Sequence, residues 1–302
     1  MKDAHVDAPP FAVSAGTGSR AGDFVALVKP RLNVLVVASS AAGYYLGAQT
    51  AIDVSAMAIA VAGTALVAGG AAALNQVYER DTDALMRRTR LRPLPDRRIT
   101  PRDGIIFGAT LSFAGLLLLA MRANLAAAML AFATLVVYLN VYTPMKRKSP
   151  IATLVGAVPG ALPPLIGWAA SHGYVSIGGL ALFAIVFVWQ IPHFMAIAWL
   201  YREDYGRAGF PMLPVLDPRG GRAARQALVY ALVLVPLSVA PAFVGVAGKP
   251  YVVIALLLSA ALAWLAARFA STRNDAAARA LFLGSITYLP LLWMAMIVNR
   301  IW

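Results

Sequence analysis

Nine stretches of this chain are apolar enough and long enough to cross a bilayer, and nothing else in the sequence limits the fold as strongly. They run over residues 24–48, 54–78, 104–121, 124–143, 151–170, 175–200, 227–248, 251–269 and 280–298. A helix of about 20 apolar residues, rising about 1.5 Å per residue, matches the hydrocarbon core of a membrane. Backbone N–H and C=O groups in lipid have to be satisfied within the protein, so such segments become helices. With 60% hydrophobic and 13% charged residues among 302, the chain reads as an all-α polytopic membrane protein with nine transmembrane helices.

Charge placement orients the bundle. All but three of the 26 Lys and Arg residues (Arg122, Lys249 and Arg300) fall on one side of these spans. The positive-inside rule then predicts a cytoplasmic N-terminus and a C-terminus outside. Topology explains the net charge of +13, so no nucleic-acid partner is expected. Residues 1–22, rich in Pro, Gly and Ala, read as a disordered cytoplasmic tail, and 23–302 as the transmembrane domain. That tail lacks a secretory signal's apolar core and an organellar presequence's Arg-rich, acid-poor character, which favours a bacterial inner membrane. There is no cysteine, which excludes disulfides and thiolate metal sites. His5, His172 and His193 are too scattered for a histidine-built one.

The second apolar stretch runs directly into a polar one, residues 74–95. On a helix, Asn75, Glu79 and Asp83 fall four residues apart and line one face. Two carboxylates and an amide oxygen suit a hard cation such as Mg²⁺, which prefers oxygen ligands and shares them with phosphates. Arg87, Arg88, Arg90 and Arg92 follow, and guanidinium groups bind phosphate oxygens. The stretch therefore reads as a holder for a metal-bridged diphosphate at the membrane face. The competing reading is a helix end whose mixed charges only solvate it. Glutamate usage favours the first: the only two, Glu79 and Glu203, each lie in an acidic cluster.

Topology puts three further groups on the same face or within reach of it. Lys146, Arg147 and Lys148 end the fourth span, either as an ordinary basic anchor or as a grip on the far side of the diphosphate. The sixth span carries Trp189, Gln190, Pro192 and His193, followed by Asp204 and Tyr205. Titratable and amide groups deep in a span are functional candidates. Residues 156–168 hold many Gly and Pro residues, read as a cavity wall in preference to plain helix packing. Lys29-Pro30-Arg31 interrupts the first span near its start; the cations are expected to snorkel and Pro30 to sit in a first helical turn.

The run Asn75-x3-Glu79-x3-Asp83-x2-Met86-x-Arg88-Thr89-x2-Arg92-Pro93 resembles the first signature of the UbiA superfamily of intramembrane prenyltransferases. Its ending, with Lys29-Pro30-Arg31, Tyr142-Thr143, Lys146-Arg147, Gly160-Ala-x-Pro-Pro164, Trp189-Gln-x-Pro-His-Phe194 and Asp204-Tyr-x-x-Ala-Gly-x-Pro-Met212, resembles the haem-prenylating branch. The resemblance implies nine helices around a central cavity and a cytoplasmic-side active site. It implies transfer of a farnesyl group from farnesyl diphosphate to a vinyl group of haem b, with addition of water, giving haem O and diphosphate. Asn75, Glu79 and Asp83 would carry Mg²⁺, and Asp204 would belong to a second acidic motif. Arg88, Arg92, Lys146 and Arg147 would stabilise the diphosphate, while Trp189, Gln190, His193 and Tyr205 would line the haem cavity. Haem is then a substrate, and haem-handling or oxidase-assembly proteins are the expected protein partners. Alternatives are prenylation of a quinone precursor or chlorin, and transport of an anionic lipid or porphyrin.

Overall fold

The computed structural model describes residues 19–301. The tail expected over residues 1–22 lies outside them up to residue 18, and its last residues open the first helix at Arg20. Among the described residues there is helix and no strand, apart from an isolated bridge between Ala247 and Arg300.

The first span, α1, is bent: Arg20–Leu27 and Pro30–Gly47 meet at 46°. Eight further helices are long and apolar enough to cross a membrane, making nine with the bent pair. They are α2 (Val54–Asp83), α3 (Pro101–Arg122), α4 (Leu125–Met145), α5 (Ala152–His172), α6 (Ile177–Leu200), α7 (Gly221–Phe243), α8 (Lys249–Thr272) and α9 (Asp275–Val298). Two short helices, Arg202–Arg207 and Leu213–Leu216, lie between α6 and α7. Helix starts follow local chemistry. Asp53 accepts the N–H groups of Ser55 and Ala56 at 2.9 Å to open α2, and Asn124 and Asn274 cap α4 and α9 in the same way.

Two expectations are corrected here. Pro30 does not sit inside the first turns of one continuous helix; it starts a new one. Proline lacks an N–H and its ring disfavours helical backbone in the preceding residue, and Lys29 accordingly takes a left-handed conformation at φ 48°. The break frees the carbonyls of Leu27 and Val28, which accept from the amides of Gln76 at 2.7 Å and Asn33 at 2.5 Å. The segment before the bend is held to α3 and the α2–α3 loop by Asp23–Arg98 at 2.7 Å, Arg20–Asp103 at 3.1 Å and the Phe24–Phe107 ring contact.

The glycines of α5 serve packing instead of lining a cavity. A Cβ on Gly167 would run into the Ser40 carbonyl of α1, one on Gly43 into Pro164 of α5, and one on Gly156 into the Tyr142 ring. Backbones thus meet closely, as small residues permit in membranes. α5 and α6 are the most enclosed spans, whereas Phe113, Met121, Leu257 and Trp264 stay exposed on the outer face, where the bilayer solvates them. Polar groups inside the bundle are paired: Tyr251 donates to the Ser238 carbonyl at 2.6 Å, and Ser259 joins Ser238 at 2.8 Å and Tyr288 at 3.1 Å.

Candidate active site

α2 stays helical to Asp83, past the apolar stretch, so Asn75, Glu79 and Asp83 do share one helical face. Its polar end is kept in the protein because each group finds a partner. The Asn75 amide donates to Thr143 Oγ1 at 3.1 Å. Glu79 Oε1 takes Lys146 Nζ at 2.8 Å, and Asp83 Oδ2 takes Arg92 Nη1 at 2.7 Å. Thr89 ties the loop after α2 back to the Asp83 carbonyl at 2.8 Å. Asn75 and Asp83 are each only 1% exposed, and carboxylates at that depth need such pairing.

α4 reaches this cluster through a local distortion. Residues Val137–Tyr142 form a π-helical turn just ahead of Pro144, a feature common at functional sites. The Thr143 hydroxyl donates to the Tyr138 carbonyl at 2.8 Å. Tyr138 and Tyr142 lie with ring centroids 5.5 Å apart, and Lys146 Nζ sits 4.5 Å above the Tyr142 ring. Burial alone would lower the Lys146 ammonium, but Tyr142 and Glu79 beside it hold it above its ordinary range, so it is charged. Arg147 is exposed beside this pair and not buried within it.

Asp204 closes the other side. Its carboxylate accepts the backbone N–H groups of Arg87 and Arg88 at 3.3 and 3.4 Å and pairs with Arg207. Arg88 donates to Tyr205 Oη at 3.0 Å and lies 4.9 and 5.2 Å from the Tyr201 and Tyr205 ring centres. Burial pushes the Tyr201 phenol up, so it stays neutral under the guanidinium. The contacts of Asp204 therefore hold the arginine loop, while Glu203 is exposed. The Tyr78–Asp81 and Tyr201–Asp204 runs, similar on paper, also differ in use: Tyr78 and Asp81 are exposed, Asp204 buried.

The residues expected to line one haem cavity divide three ways. Trp189 Nε1 donates to the Ser285 carbonyl of α9 at 2.8 Å, and His193 Nδ1 meets Ser285 Oγ at 2.8 Å. Gln190 faces α5 instead, donating to the Ala157 carbonyl at 3.1 Å, and Tyr205 belongs with Arg88. The Ser285 hydroxyl proton goes to the Phe282 carbonyl at 2.7 Å, so His193 Nδ1 carries the proton between them and Nε2 keeps its lone pair. Trp189 and Phe282 stack on the imidazole, with ring centroids at 5.4 and 5.1 Å.

Among the described residues no three His, Asp or Glu side chains converge as a ready metal site. The α2 row is nevertheless all oxygen. Only one oxygen of each carboxylate is engaged by its cation, which suits a hard cation that completes its shell from phosphate. Sequence reasoning passed over Lys29, Tyr138 and Thr143 as site residues. Lys29 lies within electrostatic range of Arg92, Asp83, Glu79 and Lys146, and the signals available for the three were Pro30 and Pro144.

A family model described as the UbiA prenyltransferase family matches residues 36–295. The protein named Protoheme IX farnesyltransferase in Solibacter usitatus is 43% identical over 287 residues, spanning 92% of this chain and 98% of that one. A structure described for digeranylgeranylglyceryl phosphate synthase in membranes superposes with a TM-score of 0.77 at 17% identity, over 93% of this chain and 98% of that chain. A UbiA homolog from Archaeoglobus fulgidus bound to GPP and Mg²⁺ does so with a TM-score of 0.64 at 16% identity, over 91% and 99%. The two structures show the same fold.

Proposed function

The chain belongs to the UbiA prenyltransferase family, and from that premise we propose that it joins the farnesyl group of farnesyl diphosphate to a vinyl group of haem b. Water is added in the same overall reaction, giving haem O and releasing diphosphate. The relative of the same length and 43% identity, named Protoheme IX farnesyltransferase, supports this acceptor. The observation that carries the chemistry is the α2 row, with Glu79 and Asp83 each held on a fixed cation at 2.8 and 2.7 Å.

The barrier lies in breaking the carbon–oxygen bond of an allylic diphosphate, which leaves negative charge on the departing phosphate oxygens. Lys146, Arg92 and Arg88 are preplaced cations for that charge, and preplaced donors need no reorganisation as the bond breaks. Asn75, Glu79 and Asp83 would hold Mg²⁺, which adds positive charge on the diphosphate when bound; the archaeal homolog bound to GPP and Mg²⁺ supports such a site. Asp204 acts through Arg88, by fixing the backbone of the loop that carries it. The farnesyl cation left behind is shielded from water by the apolar bundle. The vinyl carbon of haem b attacks it, the adjacent carbon becomes cationic, and water adds there and loses a proton. Trp189, Phe194 and Phe282 surround His193, whose Nε2 is the group available to haem or to that water.

The site sits where α2, α4 and α6 end, on the side rich in Lys and Arg, which places it at the cytoplasmic face of a bacterial inner membrane. Mass spectrometry of haem b incubated with purified protein, farnesyl diphosphate and Mg²⁺ tests the reading. A product heavier by one farnesyl group and one water is expected. Prenylation of a quinone precursor or chlorin in preference to haem b overturns the acceptor, and transmembrane flux without covalent change overturns the enzyme.

A further inference from the structure

The break in α1 serves a residue. Lys29 sits at its vertex with φ 48°, a conformation that side chains other than glycine rarely adopt. The amides of Gln76 and Asn33, on two different helices, satisfy the carbonyls on either side, and the Asp23–Arg98 pair anchors the segment leading in. An unusual backbone held from several directions points to use at that position. The Lys29 side chain is only partly exposed. Among the described residues no hydrogen bond or ion pair engages its ammonium, although Glu79, Asp83, Arg92 and Lys146 are its charged neighbours. Glu79 and Asp83 are already matched by Lys146 and Arg92. Lys29 is thus a surplus cation beside two balanced pairs, and what it lacks is an anion.

We propose that Lys29 binds the diphosphate of the prenyl donor from the α1 side, opposite Arg88, and that the left-handed break in α1 exists to deliver it. This rests on the prenyl-transfer reading above. A straight α1 would carry residue 29 onward along the helix instead of turning it at the mouth of the site, and arginine at 31 lies beyond the turn. The ammonium is a compact point charge on a flexible stem, suited to following phosphate oxygens as the bond breaks.

The test compares wild type, Lys29→Gln and Lys29→Cys for equilibrium binding of inorganic diphosphate with Mg²⁺, and for KM towards farnesyl diphosphate and haem b. The chain has no cysteine, so Lys29→Cys provides a unique thiol that an aminoethyl reagent converts back to an amine. Loss of one charge-assisted contact weakens diphosphate binding about tenfold or more. KM for farnesyl diphosphate rises alike, KM for haem b stays put, and aminoethylation restores binding. Unchanged diphosphate affinity in Lys29→Gln overturns the inference, as does an equal rise in both KM values. Equal rescue by an uncharged methylating thiol reagent overturns it too and, being made on the same variant, controls for folding. Failure of wild type itself to bind diphosphate or turn over would instead remove the prenyl-transfer reading, and this inference with it.

Discussion

Lys146 and Glu79 meet at 2.8 Å across the ends of α4 and α2, with the ammonium 4.5 Å above the Tyr142 ring. The pair is mostly buried, at 20% and 12% side-chain exposure, so neither charge can be dropped without stranding the other. The same ammonium is the cation nearest the row of α2 oxygens, which makes it both a structural partner and a phosphate contact.

Removing Lys146 separates these roles. Lys146→Met lowers the melting temperature, because an unpaired buried charge costs about 3 kcal/mol, and lowers kcat on the order of a hundredfold. Adding Glu79→Gln restores the melting temperature and none of the turnover. Recovery of both would make the pair purely structural.

Asp83→Asn keeps the shape of the side chain and removes its charge. Arg92 loses its counter-ion, so a modest fall in thermal stability is expected. The larger effect is on Mg²⁺-dependent transfer, with the Mg²⁺ concentration for half-maximal rate rising at least tenfold. Normal turnover at ordinary Mg²⁺ would exclude Asp83 from the metal site.

Ser285→Ala removes the acceptor that fixes the His193 proton on Nδ1. A lost hydrogen bond of about 1 kcal/mol predicts a roughly fivefold rise in KM for haem b with KM for farnesyl diphosphate unchanged. A changed haem Soret band on binding is the accompanying signature. If both KM values stay the same, His193 only packs.

Asp204→Ala frees the backbone of Arg87 and Arg88. The loop after α2 then becomes a better trypsin substrate, since Arg87 and Arg90 are already exposed, and kcat falls with it. Unaltered cleavage beside lost activity would mean that Asp204 acts on the substrate directly.

Gly167→Ala tests the α1–α5 contact. The added methyl meets the Ser40 carbonyl, and overpacking of this sort costs about 1–3 kcal/mol. Gly22→Ala is the control, because its methyl meets only Ser19 Oγ at an ordinary 3.6 Å. Equal melting temperatures for the two would refute the close backbone approach.

The sequence by itself determined the spans, their alternation and the acid row. A bilayer forces each segment to satisfy its own backbone, so apolar length is nearly a sufficient signal. The four-residue spacing of Asn75, Glu79 and Asp83 is a local property of one helix. Tertiary structure decided the rest, because it depends on groups far apart in the chain. Only packing could match Glu79 to Lys146, turn Asp204 onto the Arg87 and Arg88 amides, and send Trp189 with His193 to α9 while Gln190 went to α5. Pro30 and Pro144 stood in plain view as interruptions. That one swings Lys29 towards the acids and the other follows a π turn carrying Tyr142 was settled by the amides and hydroxyls of neighbouring elements that satisfy the freed carbonyls.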